Sequence, residues 1–237
     1  MKIVFFTNKC SHGAALLEAL KAQKIPLGAI LIEKPKMAIR LQNLKKIYRQ
    51  VGLWELIKIV FREFIASGEV WQKDDFYQKF SFRIIKVENF NCESCLKILT
   101  KIKPDLIILG GSRILQLKVL KIPKIGVLNA HPGLLPKYRG IDVIFWAIYY
   151  GEPVGVTVHF VDQGIDTGKI IIQKKVKIAA GDNLQTIVIK AEKLAGRLMA
   201  QVVRNILQGK KISAIISKSP DQPFSRMPVN LRKQIKR

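Results

Sequence analysis

Asn129-Ala-His131-Pro-Gly-Leu-Leu-Pro136-Lys-Tyr-Arg139-Gly140, followed by Gly164-Ile-Asp166-Thr-Gly168, sets an amide, an imidazole and a carboxylate where strands of an α/β domain are expected to end. His131 is one of only three histidines, with His12 and His159. Pro132 and Pro136 hold φ near one value and remove two backbone donors, so the segment reads as a shaped loop. A rigid loop around a titratable imidazole is suited to positioning a reactive group.

Upstream, residues 2–6 read as a buried strand, Thr7 to Gly13 as a loop, and Ala14 to Ala22 as a helix, with Ala15, Leu16, Leu17 and Leu20 at helical spacing. Residues 27–32 form a second strand after Ile25-Pro26, and this βαβ start points to a parallel, doubly wound sheet. Further strands are expected at about 82–87, 105–110 and 125–129, the last leading into the Asn129 loop. Downstream come a helix over 143–149, strands over 155–161 and 169–178 bracketing the Asp166 loop, and a long helix over 184–207. The fold class is α/β: a Rossmann-like, mostly parallel twisted sheet with helices on both faces and an antiparallel addition near the C-terminal part.

Residues 1–208 are expected to form one domain, with 34–80 as a helical insertion. Leu53, Leu56, Ile57, Val60, Phe61 and Phe64 there make the apolar stripe of one amphipathic helix. Lys58 and Arg62 lie off the stripe, and Lys45, Lys46 and Arg49 mark a basic helix before it. The segment suits a lid, a dimer surface, a membrane-surface helix or an extra layer over the sheet. Residues 209–237 carry Pro220, Pro223, Pro228 and an excess of Lys and Arg, and read as a basic, loosely ordered tail.

The chain resembles the folate-dependent formyltransferases, which include glycinamide ribonucleotide, methionyl-tRNA and amino-sugar N-formyltransferases. The resemblance rests on Asn129, His131-Pro132, Leu134-Leu135-Pro136 and Tyr138-Arg139-Gly140, then the strand Gly155-Val-Thr-Val-His159, then Asp166-Thr-Gly168. It runs well over residues 80 to 175 and loosely over the first 30. It implies formyl transfer from 10-formyltetrahydrofolate to a primary amine through a tetrahedral intermediate, with no metal and no nicotinamide. Asn129 would hold the oxyanion, His131 would exchange a proton, and Asp166 would orient and charge-stabilise the imidazolium. Arg113, Ile114, Leu115, Gly164 and Ile165 are implied folate contacts, and Lys9, Ser11, Tyr138 and Arg139 weaker contacts to the acceptor. The glycinamide ribonucleotide branch has a glycine-rich first loop, whereas Thr7 to Gly13 holds one glycine; Lys9, Ser11 and the helix start remain as an anion site. Gly133 stands where the family often has serine. The methionyl-tRNA branch carries a further C-terminal β-barrel domain that this chain does not reach.

The acceptor stays open among glycinamide ribonucleotide, a nucleotide-linked amino sugar and another small amine, with phosphorylated substrates favoured by charge. Hydrolysis of formyltetrahydrofolate, with water in place of the amine, and a methionyl-tRNA formyltransferase-like enzyme are the related alternatives. Lys+Arg number 41 against 17 Asp+Glu, a net +24, which fits an anionic substrate or a solvated basic surface. An RNA-binding module on an inactive transferase fold is the non-enzyme alternative. The expected setting is the cytoplasm: no apolar run is long enough for a membrane span, and residues 1–7 read as a strand. Three cysteines argue against a disulfide framework. Cys92-Glu-Ser-Cys95 has metal-ligand spacing without a second pair, and Cys95, Leu96, Ile98 and Leu99 read as the inner part of a helix that Asn91 can cap. His159 reads as a satisfied strand residue, and His12 is ambiguous.

Overall fold

Ile3–Thr7, Ala29–Glu33 and Leu106–Gly110 are buried at every position, as parallel strands covered on both faces must be. The computed structural model describes residues 1–33, 44–45, 48–49, 52–57, 76–77, 79–216 and 219–235. One sheet holds β1 (Ile3–Thr7), β2 (Ala29–Glu33), β3 (Ile84–Val87), β4 (Leu106–Gly110), β5 (Gly126–His131), β6 (Gly155–Phe160) and β7 (Ile170–Lys175). Their order is β3-β2-β1-β4-β5-β6-β7. The first five in that order run parallel, while β6 and β7 are antiparallel to their neighbours. The mostly parallel α/β sheet with an antiparallel C-terminal part is therefore present. Its expected strands lie within about three residues of those observed.

Helices cover both faces: α1 (Ser11–Ala22), α2 (Glu93–Ile102), α3 (Leu117–Leu120), α4 (Val143–Tyr149), α5 (Leu184–Leu207) and α6 (Val229–Arg232). Leu128, Ala130, Val156 and Val158 point into a core with α1, α4 and α5. Val4, Phe6, Leu31 and Val127 point the other way, onto α2 and α3. Strand alternation then places Asn129, His131, Thr157 and His159 on the α2/α3 side, near the sheet edge that those helices leave uncovered.

Two glycines bring α1 into place. A Cβ on Gly13 would clash with the Gly110 carbonyl, so this glycine, inside α1 rather than in a loop, serves close packing of α1 on β4. α1 begins at Ser11, earlier than the sequence suggests, because Cys10 Sγ accepts from Gly13 N and caps it. Further along, Gly196 lets α5 approach α1. α2 begins at Glu93, and Cys92 rather than Asn91 occupies its cap position. Asn91 instead binds the Ile114 carbonyl and the Gln116 N–H, while Cys95 faces the core.

Of the expected insertion stripe, Leu53, Leu56 and Ile57 lie in helical residues 52–57, with Leu53 and Ile57 exposed. Val60, Phe61, Phe64, Lys46, Lys58 and Arg62 lie outside the described residues. The C-terminal segment differs from a loosely ordered tail. Ile215 pairs with Ile170, Phe224 pairs with Gly140, and Met227 is buried. Phe224 and Met227 supply apolar surface that a composition count dominated by Lys and Arg conceals.

A methyl on Gly196 would lie 2.7 Å from the Ala15 carbonyl and 2.9 Å from Ala19 Cβ. Gly196→Ala is predicted to destabilise by about 1–3 kcal/mol in urea unfolding, the usual cost of overpacking. Gly181→Ala, where a Cβ meets open space, serves as the unaffected control.

Candidate active site

Strand pairing assembles the site. β5 and β6 oppose Asn129 to His159 and His131 to Thr157, so four polar side chains share one patch of sheet. The expected loop in fact begins later: Asn129 and His131 lie within β5, and the turn starts at Pro132. The turn is nevertheless closely held, with a cis Leu135–Pro136 peptide. Thr157 Oγ1 donates to the Gly133 carbonyl at 2.6 Å and accepts from Leu135 N at 3.2 Å. Gln173 Nε2 donates to the Leu135 carbonyl at 2.6 Å. A Cβ on Gly133 would clash with the Tyr138 carbonyl and lie 2.7 Å from His131 Nε2, which explains glycine there.

Asp166 reaches the patch from the loop between β6 and β7. Its φ is 52°, a left-handed conformation that a short polar side chain tolerates. Asp162 Oδ1 braces the loop by accepting from Gly164 N at 3.0 Å and Thr167 Oγ1 at 2.6 Å. Asp166 Oδ2 accepts from Gly140 N at 2.9 Å and lies 3.5 Å from His131 Nδ1, while Oδ1 lies 3.6 Å from His159 Nε2. Its side chain is only 15% exposed. Burial favours the protonated acid, but His159, His131 and the Gly140 N–H outweigh it and hold the pKa at about 2.

The carbonyl partners decide the proton positions. His131 Nε2 lies 2.7 Å from the Tyr138 carbonyl, which only accepts, so Nε2 carries a proton and Nδ1 is the exchangeable edge facing Asp166. His159 Nδ1 lies 2.8 Å from the Phe160 carbonyl and so carries a proton; its Nε2 accepts from Asn129 Nδ2 at 3.3 Å in the neutral ring and donates toward Asp166 Oδ1 when protonated. That bond turns the Asn129 NH2 inward and leaves its second hydrogen available. Burial lowers the His131 pKa, Asp166 and the Tyr138 carbonyl oppose it, and His159 adds to the lowering. His159 is the satisfied strand residue that the sequence suggests, and the partners that satisfy it also make it a member of the cluster. The Thr157-x-His159 alternation carries that signal once β6 is registered against β5.

His12 completes the surroundings. Its pKa falls to about 4 through burial and then His131, against a hydrogen bond to the Ala130 carbonyl. It is neutral near pH 7.

The other expected residues divide. Arg113, Ile114 and Leu115 follow β4 at the sheet edge where α1 starts. Arg113 Nε is 2.7 Å from the buried Glu33 carboxylate, Ile114 is exposed and Leu115 is buried. Gly164 and Ile165 are exposed on the Asp166 loop. A cavity of about 440 Å3 lies beside them, lined by Leu117, Leu120, Lys121, Val161, Asp162, Gln163 and Gly164. Lys9 stays at the end of β1 with φ 66°. Ser11, expected to hold an anion, instead donates to Glu192 Oε1 at 2.6 Å, a carboxyl whose pKa burial raises. Tyr138 and Arg139 are also turned away from the patch. The Tyr138 ring is buried against Phe224, and Arg139 Nη2 donates to the Asp221 carbonyl.

Among the described residues, no group of three His, Cys, Asp or Glu side chains could hold a metal, and no helix is long and apolar enough to cross a membrane. A family model described as formyl transferase matches residues 1–203. The chain belongs to the formyl transferase family. Within that family it is 36% identical over 124 residues to the methionyl-tRNA formyltransferase of Thermodesulfovibrio yellowstonii, covering 52% of this chain and 40% of that protein. Thus the chain matches about two-fifths of that relative's length. The phosphoribosylglycinamide formyltransferase of Bacillus halodurans shares the fold, with TM-score 0.60, 22% identity and coverage of 87% of this chain and 95% of that one. The formyltransferase PseJ from Anoxybacillus kamchatkensis, solved with UDP-4,6-dideoxy-4-formamido-L-AltNAc and tetrahydrofolate, gives TM-score 0.51 and 26% identity, covering 63% of this chain and 78% of that one.

Acid should destabilise this formyl transferase chain through His12. The unfolded imidazole gains a proton as pH falls through 6.5, the folded one only near 4, so stability is lost across that interval. Asp166 adds a loss of the same sign at lower pH, as its carboxyl becomes protonated more readily unfolded than folded. The urea midpoint should drop between about pH 7 and pH 5. His12→Gln should flatten that drop; equal slopes in the two proteins would remove His12 from this account.

Proposed function

We propose that the chain transfers a formyl group from 10-formyltetrahydrofolate to the primary amine of a small acceptor, glycinamide ribonucleotide or a nucleotide-linked amino sugar. The observation that carries the reading is the convergence of Asn129, His131 and Asp166 at the end of β5 in a chain of this family. The donor, when bound, supplies an activated formyl carbonyl. The apolar floor of Leu117, Leu120 and Val161, beside the polar Asp162–Gly164 edge, suits a flat pterin, with Arg113, Ile114, Leu115 and Ile165 as further contacts. Tetrahydrofolate in the PseJ complex supports the donor class, and its sugar ligand supports the nucleotide-sugar acceptor.

The chain's own groups divide the work. His159 orients the Asn129 amide, whose free N–H stabilises negative charge developing on the formyl oxygen. His131 Nδ1 takes the proton released by the incoming amine and returns one to the departing nitrogen. Asp166, ionised across the working range, stabilises the imidazolium and orders a water that carries the proton. The +24 charge favours anionic substrates on both sides of the reaction. Methionyl-tRNA is the second acceptor reading, favoured by the 36% identity to a methionyl-tRNA formyltransferase.

Ultraviolet-monitored turnover of 10-formyltetrahydrofolate against a panel of amines tests the proposal. Turnover should require an acceptor and fall on the order of 10²–10⁴-fold in Asp166→Asn, the usual worth of proton-transfer catalysis. Acceptor-independent turnover would replace transfer with hydrolysis. No consumption and no binding of the donor would reject the reading.

A further inference from the structure

Residues 221–227 lie across the turn that presents the Asp166 partner. Phe224 N donates to the Arg139 carbonyl at 2.8 Å, and Ile141 N donates to the Phe224 carbonyl at 2.9 Å, making a parallel bridge around Gly140. That bridge brackets the residue whose N–H donates to Asp166 Oδ2 at 2.9 Å. The side chains lock the same register. The Phe224 ring stacks on Tyr138 at 5.5 Å and on Trp146 at 5.3 Å between centroids. Trp146 Nε1 donates to the Ser225 carbonyl at 2.9 Å, Met227 N donates to Asp142 Oδ2 at 3.1 Å, and Arg139 donates to the Asp221 carbonyl.

Gly140 gives this arrangement little tolerance. Its φ is 98°, and a Cβ would clash with the Phe224 carbonyl. The strap and the turn therefore touch backbone to backbone, and loss of one displaces the other. Tyr138 extends the coupling, because its ring lies under Phe224 while its carbonyl receives His131 Nε2. A single aromatic side chain thus stands behind both the carboxylate and the imidazole.

We propose that Phe224 is a positioning residue, and residues 221–227 a strap, that fix the Gly140 N–H and the Tyr138 carbonyl and through them the Asp166–His131 pair. The inference rests on the catalytic reading of those two residues. It makes the segment following the family match at 203 part of the machinery.

The test compares the full chain with Phe224→Ala and Phe224→Tyr, reading turnover of 10-formyltetrahydrofolate, circular dichroism and 15N NMR titration of the His131 ring. The charged and titratable groups facing that ring are Asp166, His159 and His12, so their contacts set its midpoint. Phe224→Ala should keep the fold and the donor KM but lose on the order of 10²-fold in kcat, the scale of a misplaced catalytic group. Its His131 midpoint should move to lower pH as the carboxylate withdraws. Phe224→Tyr, which keeps the ring stack, should resemble the parent on both readouts. Should Phe224→Ala not fold, Phe224→Leu carries the same comparison with the apolar volume retained. An unmoved His131 midpoint in a folded variant overturns the proposal, as does a kcat equal to the parent's. If the parent itself turns over no donor while the midpoint still moves, the strap stands and the catalytic reading fails.

Discussion

Asp166 is a largely buried carboxylate shared between two histidines and one backbone N–H, and the surrounding geometry follows from keeping it charged. A carboxylate removed from water without such partners would take up a proton instead. His131, His159 and Gly140 come from β5, β6 and the turn after β5, so one charge joins three parts of the chain. The left-handed backbone of Asp166 and the close approach of Gly168 to Phe160 are the local cost of bringing the carboxylate there.

The sheet explains why this is possible at one place. β5 is the last parallel strand, and the antiparallel β6 sets its side chains directly opposite those of β5. Cross-strand pairing of Asn129 with His159 follows, and α2 and α3 leave that patch to the Asp162–Gly168 loop. Asn129, His131 and His159 thus sit on strands, whose packing fixes them, while the loops supply the carboxylate and the walls of the adjacent cavity. Because Nε2 of His131 and Nδ1 of His159 are both committed to backbone carbonyls, each ring keeps one nitrogen for the other partners.

Much of this was legible in local patterns. Apolar runs mark the buried strands, the long helix expected over 184–207 is α5, and Asn129, His131 and Asp166 stand out by residue type and by their proline and glycine settings. Long-range pairing was not legible. His159 reads as a satisfied strand residue, but its partner cannot be read, because Asn129 lies 30 positions away and the pairing depends on an antiparallel register. Ser11 looked available for an anion until Glu192, on a helix 181 residues later, took its hydroxyl. Tyr138 and Arg139 sit in a motif that reads as ligand-facing, yet the segment around Phe224 claims both. The basic composition of that segment hid it, since two apolar anchors decide its packing and charge counting ignores them.

Whether the site holds Asp166 ionised can be read from 13C NMR of its carboxyl carbon. The signal is assigned by its loss in Asp166→Asn and followed from neutral pH downward to about pH 3, where an ordinary aspartate has largely titrated. The chemical shift should stay with the carboxylate over that range, consistent with a pKa of about 2. A midpoint at or above the ordinary 3.8, in protein shown to be folded, would contradict it.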